Sequence, residues 1–402
     1  SDMGAGRFDG AWLVQNFENL NPANTLWNKQ HHLYANVDTE APRYLDFEKY
    51  WGGYVYLNDV EMQYIVDNLF IGNRLATAEL ITSDGVRIDL RNIRSPIVVF
   101  CSYGDNITPP PQALGWITDL YENDEDVLTH DQTIIYATHD SVGHLGIFVS
   151  GAVSRKEHHK FTTNIDLIDV LPAGIYRATI AEPAQKDGAV PLDNFELSIE
   201  PADVARVRDI VQPDPESDRR FNAVAQLSKI NLGLYRQFLQ PWVRHTYTPQ
   251  AAQWLQAMHP LRLSYEWWSD QNPLSSHIAD TATKVRKQRV AIDDDNPFLQ
   301  MQEIGSQAIT QALDHWRDAR DSAYERAFEW IYDSPWMRII TGQTGSDEPA
   351  HAGPCTAPDH DALIQQKITE LRTEIAEGGA LEAGIRALIY IHRFCSSIDE
   401  RR

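Results

Sequence analysis

Two short apolar runs constrain the fold more than any other feature: Pro96-Ile97-Val98-Val99-Phe100 and Gln132-Thr133-Ile134-Ile135-Tyr136-Ala137. Both are brief and rich in β-branched residues, the composition of buried strands. Between them, Gln112 to Tyr121 places Leu114, Ile117, Leu120 and Tyr121 on one side of a helix. Strand, helix and strand in succession read as an α/β arrangement around a sheet. Each run ends in a tight break that presents one ionisable residue. The first leads into Cys101-Ser102-Tyr103-Gly104-Asp105-Asn106 and then Pro109-Pro110-Pro111; the second leads to Ser141-Val142-Gly143-His144-Leu145-Gly146. Strand ends of α/β sheets are where catalytic groups collect, so Asp105 and His144 form the candidate catalytic pair.

The flanking chain divides by pattern. Asp59 to Phe70 reads as a helix capped by Asp59, with Met62, Ile65, Val66 and Leu69 as its apolar stripe. Leu80-Ile81-Thr82 and Arg87-Ile88-Asp89-Leu90 flank Ser83-Asp84-Gly85 as a hairpin. Phe161 to Leu171 reads as helix, and 175–180 and 195–199 as short strands. Beyond about residue 202 the chain reads as mainly helical, over 202–211, 221–239, 249–258, 304–332, 362–375 and 381–395. The Gly-, Thr- and Pro-rich stretch 338–358 reads as a loop or linker. Two domains are therefore expected: an α/β portion over 1–200 and a helical domain over 201–402 with a loop near 338–361.

The totals exclude some partners. The 402 residues carry 57 Asp and Glu against 35 Lys and Arg, a formal net charge of −22. Such acidity argues against nucleic-acid or anionic-membrane binding. No apolar run is long enough to span a membrane and no secretion signal is read. Cys101, Cys355 and Cys395 form no disulfide framework, which favours a reducing compartment and a cytoplasmic location.

At this point a resemblance becomes legible. Leu26-Trp27-Asn28, Asp89-Leu90-Arg91-Asn92-Ile93-Arg94-Ser95-Pro96, Gly104-Asp105-Asn106-Ile107-Thr108-Pro109 and Ser141-Val142-Gly143-His144-Leu145-Gly146 together resemble the second half of polyhydroxyalkanoate synthases. The match is nearest to the synthase-like α/β-hydrolase proteins of the DUF3141 family. It covers roughly 20–150 for the synthases and extends further for that family. The resemblance implies the C-terminal part of an α/β-hydrolase-like sheet followed by a mainly helical region. It implies an acyltransferase or esterase acting on hydroxyacyl thioesters or polyesters, without cofactor or metal. An acid followed by a His is the order of the last two members of such a triad. Asn106 stands where the synthases have His after the acid. These families place a Cys or Ser nucleophile in a Gly-x-(Cys/Ser)-x-Gly elbow upstream of the acid. Gly6 and Gly10 stand four apart, but Phe8 is central between them, and no such elbow occurs in the chain. The resemblance thus implies the C-terminal portion of a longer protein, with association to its missing N-terminal part or a homo-oligomer as partners. The alternative function is a non-catalytic scaffold with a degenerate hydrolase fold and long assembly helices.

Other residues compete weakly. Cys101 reads as a packed core thiol rather than a nucleophile. The Gly143 and Gly146 frame favours His144 over His139 as the base. His31-His32 and His158-His159 are neighbours that diverge on a helix, so neither pair reads as a metal clamp. His351, Cys355, Asp359, His360 and Asp361 contain ligand types without a zinc spacing, and Asp293-Asp294-Asp295-Asn296 lacks the Gly and Glu of a calcium loop. Trp254, Tyr265, Trp267 and Trp268 read as helix–helix core, with an acyl-groove cover as the competing use.

Overall fold

The computed structural model describes residues 1–181, 195–290, 292–293, 295–343, 360–393 and 398–399. It is a mixed α/β protein whose chain falls into two compact units, Ser1–Ile71 with Arg220–Ser346, and Gly72–Arg219 with Asp347–Arg402. The division expected at residue 200 is therefore replaced by an interleaved one. Side-chain ties hold the early residues to the helical stretch. Trp27 Nε1 donates to Ser306 Oγ at 2.9 Å, Tyr235 donates to Asp2 at 2.8 Å, and the Arg262 guanidinium grips Asp9 at 2.8 and 3.0 Å. None of these pairings has a sequence period to announce it.

The second unit carries the sheet. The elements that frame the site are, in chain order, β1 (Ile97–Ser102), α1 (Pro110–Leu120), α2 (Asp124–Thr129), β2 (Thr133–His139), α3 (His144–Val149), β3 (Gly174–Ala181), β4 (Glu196–Ala202) and α4 (Val204–Val211). The sheet order is β1-β2-β3-β4 followed by the two-residue strand Ile398–Asp399. β1, β2 and β3 run parallel, and β4 returns antiparallel to β3.

β2 explains why the pattern was readable. It is buried on both faces, as expected of an interior parallel strand. Ile134 and Tyr136 join Leu114, Ile117, Leu120 and Val207 in one core, while Ile135 and Ala137 join Ile168, Leu171, Tyr176 and Leu197 in the other. Burying a side chain such as Ile117 contributes about 1.5–3 kcal/mol. β1, expected as a buried strand, instead lies at the sheet edge among the described residues, paired with β2, and Val98 is exposed. Buried Gln132 donates to the carbonyls of Leu90 at 2.6 Å and Ile93 at 3.2 Å and accepts from the Tyr121 hydroxyl. That network ties the segment entering β1 to the start of β2.

Several local readings stand with shifted edges. The hairpin forms between Leu80–Ile81 and Arg87–Ile88. The helix expected from 161 to 171 is two shorter ones, His159–Thr163 and Ile165–Asp169. The helix Asp59–Ile65 is capped by Asn58, not Asp59: Asn58 holds an extended backbone and its side chain accepts from Glu61 N–H at 2.8 Å. The helix expected over 304–332 begins earlier, at Pro297, and runs to Tyr332. The linker expected over 338–358 begins as helix, Pro335–Ile340, and its later part lies outside the described residues. The helix His360–Arg393 breaks at Gly379, where φ is 71°. Of the apolar face expected there, Leu381, Ile385, Leu388, Ile389 and Ile391, only Ile389 packs against a core, and the other four are exposed.

The aromatic residues do not follow the core expectation. Ten of the eleven tryptophans lie in the first unit, and eight are exposed, Trp254, Trp267 and Trp268 among them. The sheet unit has Trp116 alone, half-buried against the α1 core. Among the described residues no helix is long and apolar enough to cross a membrane.

Candidate active site

Ser102 at the end of β1 stands opposite His139 at the end of β2, so both strands stop at one edge of the sheet. The loops that follow are stitched together. Tyr103 N–H donates to the His139 carbonyl at 2.8 Å, and Asp105 N–H to the Ser102 carbonyl at 3.1 Å. Gly104 sits where the two loops touch. A Cβ built there would lie 2.3 Å from both the carbonyl carbon and oxygen of Ser141. Gly104 is needed for this close approach, not for a left-handed turn, since its φ is not positive.

Asp105 is buried and fully engaged. Its Oδ1 accepts backbone N–H groups from Ile107 at 2.8 Å and Thr108 at 3.0 Å. Its Oδ2 accepts the Thr108 hydroxyl at 2.8 Å and lies 2.8 Å from His144 Nδ1. Burial pushes this carboxyl up, but the Thr108 N–H, the His144 ring, the Ile107 N–H and the Thr108 hydroxyl together outweigh it and hold the group below the usual carboxylate range. The side chain thus stays ionised while shaping its own turn into α1, which opens at Pro110.

His144 is the first residue of α3, delivered by Gly143 in extended conformation. Its side chain is 28% exposed, against 0% for Asp105. An ionised carboxylate only accepts, so the proton between the two lies on Nδ1, and in the neutral ring Nε2 carries the free lone pair. Nε2 makes no hydrogen bond among the described residues. The pair opens onto a cavity of about 260 Å³ whose apolar wall is Phe100, Ala113, Ile147 and Phe148. The Phe148 ring meets the imidazole edge-on at 5.8 Å, one helical turn away.

The neighbouring candidates take other jobs. Cys101 is buried with its Sγ 3.6 Å from the Ala137 carbonyl, and burial together with the Asp105 charge pushes its thiol up to about 11. It is a neutral core thiol, not a thiolate nucleophile. Ser102 is buried and its hydroxyl accepts Gly104 N–H at 3.1 Å. His139 caps the second loop, its Nδ1 accepting N–H groups from Ser141 at 3.1 Å and Val142 at 3.2 Å. The sequence reading did not find Thr108 or this His139 cap. The Asp-x-x-Thr spacing of a side-chain turn was the available signal for Thr108.

The remaining candidates stay apart. His31 stacks on Trp27 at 5.8 Å, and His32 Nε2 lies 3.5 Å from Glu40. His158 meets Phe100 at 6.4 Å, while His159 opens the next short helix. No cluster of three His, Cys, Asp or Glu residues that could hold a metal occurs among the described residues. His351, Cys355 and Asp359, the side chains of His360 and Asp361, and Asp294 lie outside the described residues. Asn296 caps the helix Pro297–Tyr332 by accepting Phe298 N–H at 2.9 Å.

A family described as "Protein of unknown function (DUF3141)" matches residues 1–375. An "Uncharacterized protein in ackA 5'region" of Rhizobium meliloti is 48% identical over 405 residues, a match that takes in 100% of this chain and 55% of the relative. The chain therefore spans about half the length of the curated relative it matches. No solved structure matches it. On the family match, which spans most of its length, the chain belongs to the DUF3141 family.

Proposed function

We propose that Asp105 and His144 are the acid and base of an α/β-hydrolase-type triad that acts on acyl esters or thioesters. The observation that carries this reading is the 2.8 Å contact between Asp105 Oδ2 and His144 Nδ1 at the paired ends of two parallel strands. His144 Nε2 takes the proton of a Ser or Cys as that nucleophile bonds to the acyl carbonyl carbon. Collapse of the tetrahedral adduct breaks the bond to the leaving alcohol or thiol, which receives the proton from Nε2. Asp105 keeps Nδ1 protonated and stabilises the imidazolium between the two steps. The nucleophile is supplied from outside these 402 residues, because no Gly-x-(Cys/Ser)-x-Gly occurs within them. The apolar cavity of about 260 Å³ suits a small acyl group rather than a large polar one. The synthase-like motifs favour hydroxyacyl thioesters or polyesters as substrates, and the sparse cysteines favour a cytoplasmic setting.

The test is hydrolysis or transfer of short hydroxyacyl thioesters and nitrophenyl esters by the longest form of the protein. His144→Ala is expected to lower kcat/KM by about 10³-fold or more, and Asp105→Asn by about 10²–10⁴-fold. Turnover that survives His144→Ala unchanged removes the reading. A second reading, a non-catalytic assembly protein, draws support from the eight exposed tryptophans. A monomer by light scattering, with turnover that depends on His144, would set it aside.

A further inference from the structure

We infer that Thr108 is a positioning residue of the Asp105–His144 pair, its one hydroxyl holding both the carboxylate plane and the imidazole tautomer. This rests on the reading of those two residues proposed above. The Thr108 oxygen lies 2.8 Å from Asp105 Oδ2 and 3.2 Å from His144 Nδ1, so it touches both members at the atoms they share. Proton bookkeeping then decides the roles. The ionised Asp105 has no proton to give, so the hydroxyl proton points to Oδ2. Only lone pairs of the Thr108 oxygen remain for the ring, and Nδ1 faces two acceptors. In the neutral ring Nδ1–H is favoured twice over, and the lone pair falls on Nε2.

Thr108 also grips the other carboxylate oxygen through its own backbone N–H, at 3.0 Å from Oδ1. One residue thereby spans both oxygens and fixes the carboxylate against rotation. Its rigidity is local. A β-branched side chain has restricted χ1, and Pro109, which follows, confines the Thr108 backbone to extended values. The other titratable groups on this cavity are Cys101, a buried neutral thiol, and the half-buried His158. Among the described residues Nδ1 meets Asp105 and Thr108, and neither Cys101 nor His158 competes for it.

The experiment uses the full chain with ¹⁵N-labelled histidine, and His144→Gln assigns the signal by its loss. Thr108→Val keeps the shape and removes the hydroxyl; Thr108→Ser restores it. In Thr108→Val the ratio of Nδ1–H to Nε2–H tautomer at His144 is expected to fall about two- to tenfold, the range one neutral hydrogen bond spans. Nδ1 proton exchange should quicken by a similar factor. Thr108→Ser should return both to within about twofold of the parent. Unchanged tautomer ratio and exchange in a folded Thr108→Val protein overturn the inference, as does a Thr108→Ser protein that behaves like the Val variant. The measurement needs no turnover. Absence of His144-dependent turnover in the longest form of the protein therefore strikes at the proposed triad, while the tautomer ratios alone decide the role of Thr108.

Discussion

Gly104→Ala is the sharpest perturbation the site offers. The added Cβ would fall 2.3 Å from the Ser141 carbonyl carbon and oxygen and 2.8 Å from its Cα. Backbone atoms cannot rotate away as a side chain can. Ordinary contact begins near 3.4 Å, so the two loops must part by about 1 Å. A shift of that size takes the 2.8 Å Asp105–His144 contact and the 2.8 Å Tyr103–His139 hydrogen bond past the roughly 3.5 Å at which such bonds fade. Overpacking of this kind costs about 1–3 kcal/mol. Urea denaturation followed by circular dichroism should show that loss, and the protected Nδ1 proton of His144 should disappear. Gly115→Ala is the matched control. Gly115 lies inside α1 with nothing within 4 Å of its added Cβ, so alanine there should stabilise by about 0.5–1 kcal/mol. A Gly104→Ala protein that unfolds at the parental midpoint with its Nδ1 proton intact would falsify the close-approach argument.

Two further outcomes follow from burial. The Cys101 thiol, buried and pushed up to about 11, should react with iodoacetamide at pH 8 at least 100-fold more slowly in the folded chain than in urea; equal rates would mean the β1 end is open. His130 and His259 are both held below the ordinary His range, in the first place because burial disfavours the imidazolium. Their neutral forms belong to the fold and the unfolded chain takes up protons more readily. Their contribution to stability is therefore full above about pH 6.5 and is lost as pH falls through the lowered folded values. Urea midpoints should drop between pH 7.5 and pH 5, above the range where Asp9, Asp89 and Asp105 begin to protonate. A flat profile over that interval would remove the argument.

The parts of the fold legible in the sequence are those with a period. The Leu114, Ile117 and Leu120 stripe and the 133–139 strand each carry a local repeat, and both lie in the core. Asp105 and His144 were legible because glycines and prolines frame the loops that hold them. What stayed hidden depends on partners far away in sequence. The interleaving of 1–71 with 220–346 is made by single side-chain contacts such as Trp27 with Ser306. Thr108 reaches the His144 ring, and Tyr103 N–H the His139 carbonyl, only once β1 and β2 are side by side. The tryptophans misled for a different reason. Hydrophobic size sets the gain from burial, but it does not say whether these residues themselves provide the covering surface.

The uneven placement of those tryptophans has an optical consequence. Ten report from the first unit and Trp116 alone from the sheet. Native emission should already be red-shifted by the eight solvent-facing indoles, which leaves little further shift on unfolding. Total fluorescence will therefore follow the helical unit and pass over events around His144. With ten indoles replaced by phenylalanine, the remaining emission of Trp116 would watch the α1 side of the sheet without interference. Conversely, quenching by acrylamide in the intact chain would register whatever comes to lie on the helical unit before any change at the His144 edge is detectable.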